Sequence, residues 1–298
     1  MRCEAVLKRL DSFRTGELED TEKKSVAAHL SNCRECAREL AQIERLAAGF
    51  TQLRSIAPEG ILEHLRHYTG DCYAEVETDI GKVWVGFSSK GITMIGLAEN
   101  DPEAFEASYR RRIGRRAQRG NVLKSYARAV RQAAAGAAAA AVAIDLSGLS
   151  EFERKALMIL RQIPRGEVRP YAWLAREVGR PEAARAVGNV MARNPVPLLL
   201  PCHRVVPTAG GIGNYGFGSS IKRDLLSREG VPVDEIERLA GEGVRYIGCR
   251  SSNIYCFPTC HYARRICVEN RVPLSGFREA ARAGFRPCRH CKPDAAPI

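Results

Sequence analysis

Eleven cysteines dominate the chemistry available to this 298-residue chain. One of them, Cys202, lies in the run Pro201-Cys202-His203-Arg204-Val205-Val206. This places a thiol beside an imidazole. Pro195, Pro197 and Pro201 stiffen the approach, and Val196 and Leu198 to Leu200 make it apolar. A thiol becomes a strong nucleophile when a neighbouring base or positive charge raises its thiolate fraction. Taken alone, the hexapeptide fits either a reactive thiol or a small buried hydrophobe. A second grouping is Cys256-x3-Cys260 with Cys288-x2-Cys291, the two pairs separated by 27 residues. Four soft ligands in two close pairs specify a tetrahedral zinc site. Cys3, Cys33 and Cys36 form a third group, and Cys72, Cys249 and Cys267 stand apart.

The length suits two or three modules better than one core. No apolar run approaches the ~20 residues needed to span a bilayer. Met1-Arg2-Cys3-Glu4 has an early acidic residue and no apolar segment behind it, unlike a signal peptide. The expectation is a cytoplasmic protein without a membrane partner, in which many cysteines mean metal binding or catalysis more readily than disulfides. The net charge of +12 is uneven. Residues 1–48 balance nine basic against nine acidic side chains, whereas residues 240–298 carry ten basic and four acidic. A basic body suits a polyanion such as nucleic acid, although charge alone also fits an ordinary soluble basic protein.

Patterning places these residues on elements. Residues 1–48 read as a helical cap, with Val6, Leu7, Leu10, Val26, Leu30, Leu40 and Ile43 at helical spacing, and residues 49–69 as a linker. Residues 72–98 alternate with period two between glycines, which predicts an antiparallel meander. Pro102 opens a helix, and residues 107–131 hold nine basic side chains and no acidic one, most simply a solvated face. The alanine-rich stretch 133–143 is expected to leave the helix near Gly136 and continue as a short strand over Val142–Leu146. Ser150-Glu151-Phe152-Glu153 is a capping box. Tyr171–Val178, closed by Gly179, and a helix opened by Pro181 form a helix-turn-helix whose second helix carries Arg185 and Arg193.

Residues 164–230 resemble the O6-alkylguanine-DNA alkyltransferases. The match runs through Pro164-Arg165-Gly166-Glu167-Val168-Arg169-Pro170-Tyr171, Ala183-Ala184-Arg185-Ala186-Val187-Gly188, Asn194-Pro195 and Pro201-Cys202-His203-Arg204-Val205. It continues through Gly213-Asn214-Tyr215, Lys222 and Leu225-Leu226-Ser227-Arg228-Glu229-Gly230. The resemblance implies that Cys202 accepts an alkyl group from O6-alkylguanine in double-stranded DNA, with O4-alkylthymine as a further substrate, once per molecule. His203 would take the thiol proton, Glu229 would orient the imidazole, Asn194 would hold the turn, and Tyr171 would donate to the departing guanine. Arg185, with small neighbours such as Ala184, would fill the place of a flipped nucleotide, and Arg193, Arg204 and Tyr215 would also contact DNA. Met191, Pro197, Val205, Gly213 and Gly216 would wall the base pocket. The sequence departs from the family at Gly216-Phe217-Gly218, where relatives often carry a serine or arginine after the tyrosine.

The C-terminal runs Ile254-Tyr255-Cys256-Phe257-Pro258-Thr259-Cys260 and Ala283-Gly284-Phe285-Arg286-Pro287-Cys288-Arg289-His290-Cys291-Lys292-Pro293 resemble the phosphotriester-repair domain of the bacterial adaptive-response (Ada) protein. That implies a zinc-bound Cys256 accepting methyl groups from DNA phosphate, with Arg264, Arg265, Arg286 and Arg289 near the backbone. A purely structural zinc knuckle is the other reading. His29-x3-Cys33-x2-Cys36 with Cys3 upstream resembles the zinc finger of zinc-binding anti-sigma factors. It implies a site of Cys3, His29, Cys33 and Cys36 and a sigma-factor partner, against a helical cap with inert cysteines. Together these readings give a multi-domain α/β (α+β) chain. Its expected modules are a helical zinc cap (1–48), an RNase H-like meander with helix (70–146), a winged helix-turn-helix alkyltransferase domain (150–235) and a four-cysteine zinc domain (243–294). Zinc is the expected metal, with no organic cofactor. The leading function is DNA repair. The rival is a regulatory anti-sigma-like sensor of alkylation or thiol oxidation.

Overall fold

Apolar residues at helical spacing fold the N-terminal segment into α1 (Cys3–Leu7), α2 (Leu10–Arg14), α3 (Asp20–Leu30) and α4 (Arg34–Arg54). The computed structural model describes residues 2–54, 70–98 and 101–293, and the chain divides into two units, Met1–Arg66 and His67–Ile298. In the first unit Val6, Leu10, Val26 and Cys36 are buried together. So small a core rarely sustains a fold without a metal or a covalent staple. α4 continues to Arg54, beyond the expected end of the cap at residue 48. No proline interrupts it, and one glycine in a long helix is tolerated at modest cost. The remainder of the expected linker, residues 55–69, lies outside the described residues.

The second unit begins with the predicted meander, β1 (Asp71–Thr78), β2 (Gly81–Ser88) and β3 (Gly91–Leu97), paired antiparallel. Then come α5 (Pro102–Ile113), capped by the Asp101 carboxylate accepting from the Ala104 amide at 2.6 Å, and β4 (Ala117–Arg119). β4 pairs parallel to β1, giving the sheet order β3-β2-β1-β4. α6 (Lys124–Ala134) ends as expected before Gly136, whose φ is +70°. The anticipated strand at 142–146 is instead a strap with one bridge, Ile144 to Ile92. The Ile92 amide donates to the Ala143 carbonyl (3.0 Å) and the Asp145 amide to the Ile92 carbonyl (2.8 Å), while the Asp145 carboxylate holds Ser88 Oγ (2.8 Å), Arg115 (2.9 Å) and the Ser147 amide (3.0 Å). Gly91 is required where the strap crosses. Its φ is +144°, and an added Cβ would lie 2.5 Å from the Ala143 carbonyl.

The helical core follows. In α7 (Glu151–Ile159) the capping box is complete: the Ser150 hydroxyl accepts from the Glu153 amide, and Glu153 accepts from the Ser150 amide. After β5 (Arg169–Pro170), α8 (Tyr171–Val178) stops at Gly179 in the left-handed conformation. Pro181 opens a 3-10 turn, and the α-helix proper, α9 (Ala184–Ala192), starts only at Ala184. A further 3-10 turn, Cys202–Arg204, leads into β6 (Val205–Val206), which pairs parallel to β5. α10 (Ser219–Arg228) and α11 (Val233–Gly241) close this part. The C-terminal part comprises β7 (Tyr246–Cys249), β8 (Ile254–Cys256), β9 (Arg271–Leu274), α12 (Phe277–Arg282) and β10 (Arg286–Pro287), in the sheet order β10-β8-β7-β9. One hydrophobic cluster runs from Val83 on the first sheet through Leu157, Trp173 and Cys202 to Cys256 and Cys291. The unit is mixed α/β, and its segments share a core.

Replacing Ser150 by Ala removes one half of the capping box and should lower unfolding free energy by about 1 kcal/mol. Urea denaturation checks this. An unchanged midpoint would show that α7 is held by packing alone.

Candidate active site and metal centres

Asn194, at the end of α9, bolts the loop that presents Cys202. Its Oδ1 accepts from the Val196 amide at 3.0 Å, and its Nδ2 donates to the Leu200 carbonyl at 2.8 Å. The same Nδ2 lies 3.0 Å from Cys202 Sγ. Within this turn Leu198 has φ +74°, a left-handed conformation that costs a non-glycine residue about 1 kcal/mol or more. From outside the loop, the Ile95 amide of β3 donates to the Pro195 carbonyl at 2.7 Å. Sheet and loop thus fix the thiol jointly.

Burial pushes the Cys202 thiol pKa up, and the Asn194 hydrogen bond and the Lys222 ammonium oppose the rise. The resting group is a thiol, so deprotonation needs a base. His203 is 1% exposed, and its Nε2 lies 3.0 Å from Glu229 Oε1. Arg204 grips the same carboxylate with two bonds of 2.8 Å and donates to the Ile163 carbonyl at 2.7 Å. Burial works against ionisation of Glu229, but the His203 and Arg204 hydrogen bonds outweigh it and bring its pKa down to about 2. An ionised carboxylate only accepts, so His203 Nε2 carries the proton and Nδ1 keeps its lone pair. Nδ1 is buried and has no partner among the described residues. Burial also lowers the His203 pKa, with Glu229 pulling the other way, so the imidazole is neutral and basic at Nδ1.

Lys222, to which the sequence reading assigned no role, faces the Cys202 site electrostatically. It is 1% exposed and donates to the Val205 carbonyl (2.8 Å) and the Asn214 carbonyl (3.2 Å). Burial brings its pKa down to about 8, against the pull of Cys202. A lysine in an otherwise apolar helix face was the signal available. Tyr171 has its pKa raised by burial and then by Cys202.

Cys202 opens on a cavity of about 240 Å3. Met191, Asn194, Pro197, Tyr215 and Gly216 line it, whereas Val205 and Gly213 do not. Val205 is fully buried on β6, and Gly213 is a turn residue, with φ +68° and room for a Cβ denied by Pro207 at 2.6 Å. The opposite wall is Met94 to Leu97 of β3 with Phe105, Ser108 and Arg112 of α5, residues that no motif indicated. Phe217 also lines the cavity and packs edge-on to Tyr215 (5.6 Å, 69°). The position after Gly216 therefore contributes an aromatic wall, not a polar contact.

Arg185 and Arg193 are exposed on and just after α9, and Ala184 is half-buried. Arg204, expected on DNA, is instead committed to Glu229 and Ile163. Its side chain is 13% exposed, because a buried carboxylate needs compensating charge. In the basic run 107–131, Arg115 is likewise occupied, with Asp71 (2.8 Å) and Asp145 (2.9 Å).

Two cysteine clusters have donor sets compatible with zinc. Cys256, Cys260, Cys288 and Cys291 are all buried, all free, and mutually within 4.8 Å. Four converging thiols without a disulfide suit one tetrahedral ion. Cys3, His29, Cys33 and Cys36 converge likewise, with Cys3 Sγ 3.6 Å from His29 Nε2 and 3.8 Å from Cys33 Sγ. Arg286 and Arg289 line a hollow at Cys256, whereas Arg264 donates to the Gly166 carbonyl at 3.3 Å. Among the described residues no helix is long and apolar enough to cross a membrane.

Comparison with known proteins agrees with this layout. Residues 151–231 match the family model for the 6-O-methylguanine DNA methyltransferase DNA-binding domain, residues 239–294 the metal-binding domain of Ada, and residues 3–37 the family described as "Putative zinc-finger". A methylated-DNA–protein-cysteine methyltransferase of Rattus norvegicus is 46% identical over 99 residues, covering 33% of this chain and 46% of that protein. One from Mycolicibacterium paratuberculosis is 43% identical over 88 residues, covering 30% and 53%. The chain thus spans about half the length of these curated relatives. The crystal structure of the O6-methylguanine methyltransferase of Mycobacterium tuberculosis is 28% identical and covers 53% of this chain and 92% of that one, with a TM-score of 0.46. By the family models, residues 151–231 are similar to an alkyltransferase DNA-binding domain, residues 239–294 to the metal-binding domain of Ada and residues 3–37 to a zinc finger.

Proposed function

We propose that the protein repairs alkylated DNA by transferring a methyl or larger alkyl group from O6-alkylguanine, and from O4-alkylthymine, irreversibly to Cys202. The observation that carries this reading is the Cys202–Asn194–His203–Glu229 arrangement opening on a base-sized cavity. His203 Nδ1 takes the thiol proton across one water. The thiolate attacks the alkyl carbon, an S–C bond forms and the C–O6 bond breaks. The electron pair stays on the purine, which takes up a proton, with the Tyr171 hydroxyl as donor. The thioether product is stable, so each molecule acts once. The target base must leave the duplex to reach a buried sulfur. Arg185, exposed on α9, fills the gap in this reading.

The C-terminal cluster is the second acceptor in this reading. Cys256, Cys260, Cys288 and Cys291 would hold zinc, which would supply the positive charge that favours the thiolate form of Cys256 at neutral pH. That sulfur takes the methyl of a DNA methylphosphotriester, the C–O bond breaks, and the phosphodiester leaves as an anion. Methylation of Cys256 would remove one negative charge from the four-cysteine site, which would favour DNA in a salt-dependent way. The matched relatives are alkyl-acceptor proteins, which favours repair over an anti-sigma-like sensor.

Duplex DNA carrying labelled O6-methylguanine should pass label to Cys202, and Cys202→Ala should abolish that transfer. Repair persisting in the variant would sink the assignment. Peptide mass mapping after incubation with methylphosphotriester DNA should find a methyl on Cys256. Finding none on any C-terminal cysteine would leave a structural zinc knuckle. Because the folded Glu229 pKa of about 2 lies below its ordinary 4.5, its carboxylate adds stability that is fully present above pH 4.5 and lost as pH falls toward 2. The difference corresponds to roughly 3 kcal/mol. Denaturant titrations across that window should show the slope reduced in Glu229→Gln.

A further inference from the structure

The alkyltransferase segment and the C-terminal cysteine cluster meet at Glu167, a carboxylate 3% exposed. One side of it belongs to its own segment, through an ion pair with Arg169. The other side faces the cluster. Oε1 accepts from the backbone amide of His261, the residue after Cys260, at 3.0 Å, and lies 3.3 Å from Nε2 of His290, between Cys288 and Cys291. A carboxylate oxygen of Glu167, Cys260 Sγ and a His290 ring nitrogen lie within 4.8 Å of one another. The neighbouring backbone is tied to the same loop, since the Val168 amide donates to Thr259 Oγ1 at 3.0 Å. The Arg169 guanidinium lies over Phe257, between Cys256 and Cys260, at 5.6 Å and over Trp173 of α8 at 5.7 Å.

A buried carboxylate is costly unless its lone pairs are met. Two of its three partners here, the His261 amide and His290, are supplied by the turns that carry the cluster's cysteines, so Glu167 is fully satisfied only while those turns keep their closed form. The strain of losing them has a short path to Cys202. Arg169 and Pro170 pair with Val205 and Val206, directly after the Cys202–Arg204 turn, and Tyr171 follows Pro170.

We propose that Glu167 is a positioning residue of the C-terminal metal site, and that through Glu167, Arg169 and the β5–β6 pair the metal-loaded cluster holds the Cys202 site in order. The two acceptors form one coupled unit. This rests on the reading that the four-cysteine cluster holds zinc. Outer-shell carboxylates orient metal ligands, and their loss weakens affinity. Linkage makes the effect reciprocal.

The test uses the full chain carrying Cys33→Ser and Cys36→Ser, so that the C-terminal cluster alone holds zinc. Zinc content is measured first, then zinc affinity by chelator competition. Amide hydrogen exchange is followed over 164–172 and 201–206, with and without zinc, alongside methyl transfer to Cys202 from an O6-methylguanine duplex. Zinc removal should speed exchange in both segments and slow transfer. Glu167→Gln should weaken zinc affinity by about tenfold or more. In the zinc-saturated variant, the zinc-dependent difference at 201–206 should disappear. Thr259→Val, which removes the hydroxyl's bonds to the Val168 amide and carbonyl, should reduce that difference and serves if Glu167→Gln fails to fold. The proposal is overturned if zinc removal alters exchange at 257–261 alone, or if Glu167→Gln keeps the full difference at 201–206. A chain without zinc would overturn the metal reading itself, and metal content reports that separately from exchange.

Discussion

The charge of one buried carboxylate, Glu229, organises the surroundings of Cys202. Ionised, it can only accept hydrogen bonds, and that single constraint directs His203 Nε2–H toward it and leaves Nδ1 as a base. It also claims Arg204, whose guanidinium supplies the positive charge that a carboxylate in this setting needs. The electrostatics around Cys202 follow from the same arrangement. A neutral imidazole and a buried lysine tethered to two carbonyls offer a proton acceptor and a weakly held positive charge to a thiol that burial alone would keep protonated.

Position comes from elsewhere. Asn194 closes the loop from inside, and β3 holds it from outside through the Ile95–Pro195 bond. The first sheet is therefore part of the site and not merely a leading domain. It supplies one wall of the cavity through β3 and α5, and its strap over Gly91 seals the far end of the same strand. The C-terminal part is joined as closely. Its cysteine turns share the hydrophobic core of the helices and complete the hydrogen bonding of Glu167.

Local signals were legible where a residue type had one physical use. Ser150 with Glu153, Gly179 after α8 and Gly136 after α6 mark helix ends through capping and left-handed backbone, and each falls where its chemistry placed it. Residue pattern was less informative over 142–146. That run reads as strand, but it meets β3 through a single bridge at Ile92, and the Asp145 carboxylate beside it ties Ser88, Arg115 and the Ser147 amide. Arg204 illustrates the same limit. As a basic residue beside an acceptor thiol it reads as a DNA contact, and only the approach of Glu229, 25 residues later, reveals its occupation.

What the sequence by itself determined is the inventory: a thiol next to an imidazole, two sets of metal-type ligands and a helix pair carrying arginines. These are encoded by residue type and short spacing, where local geometry decides the chemistry. The tertiary structure alone decided which groups face one another over long separations. It brought α5 and β3 to the cavity, turned Arg204 inward, buried Lys222 and set Glu167 between two segments nearly a hundred residues apart. Such contacts depend on burial and on the pairing of charges that burial forces, and neither is a property of any short stretch of chain.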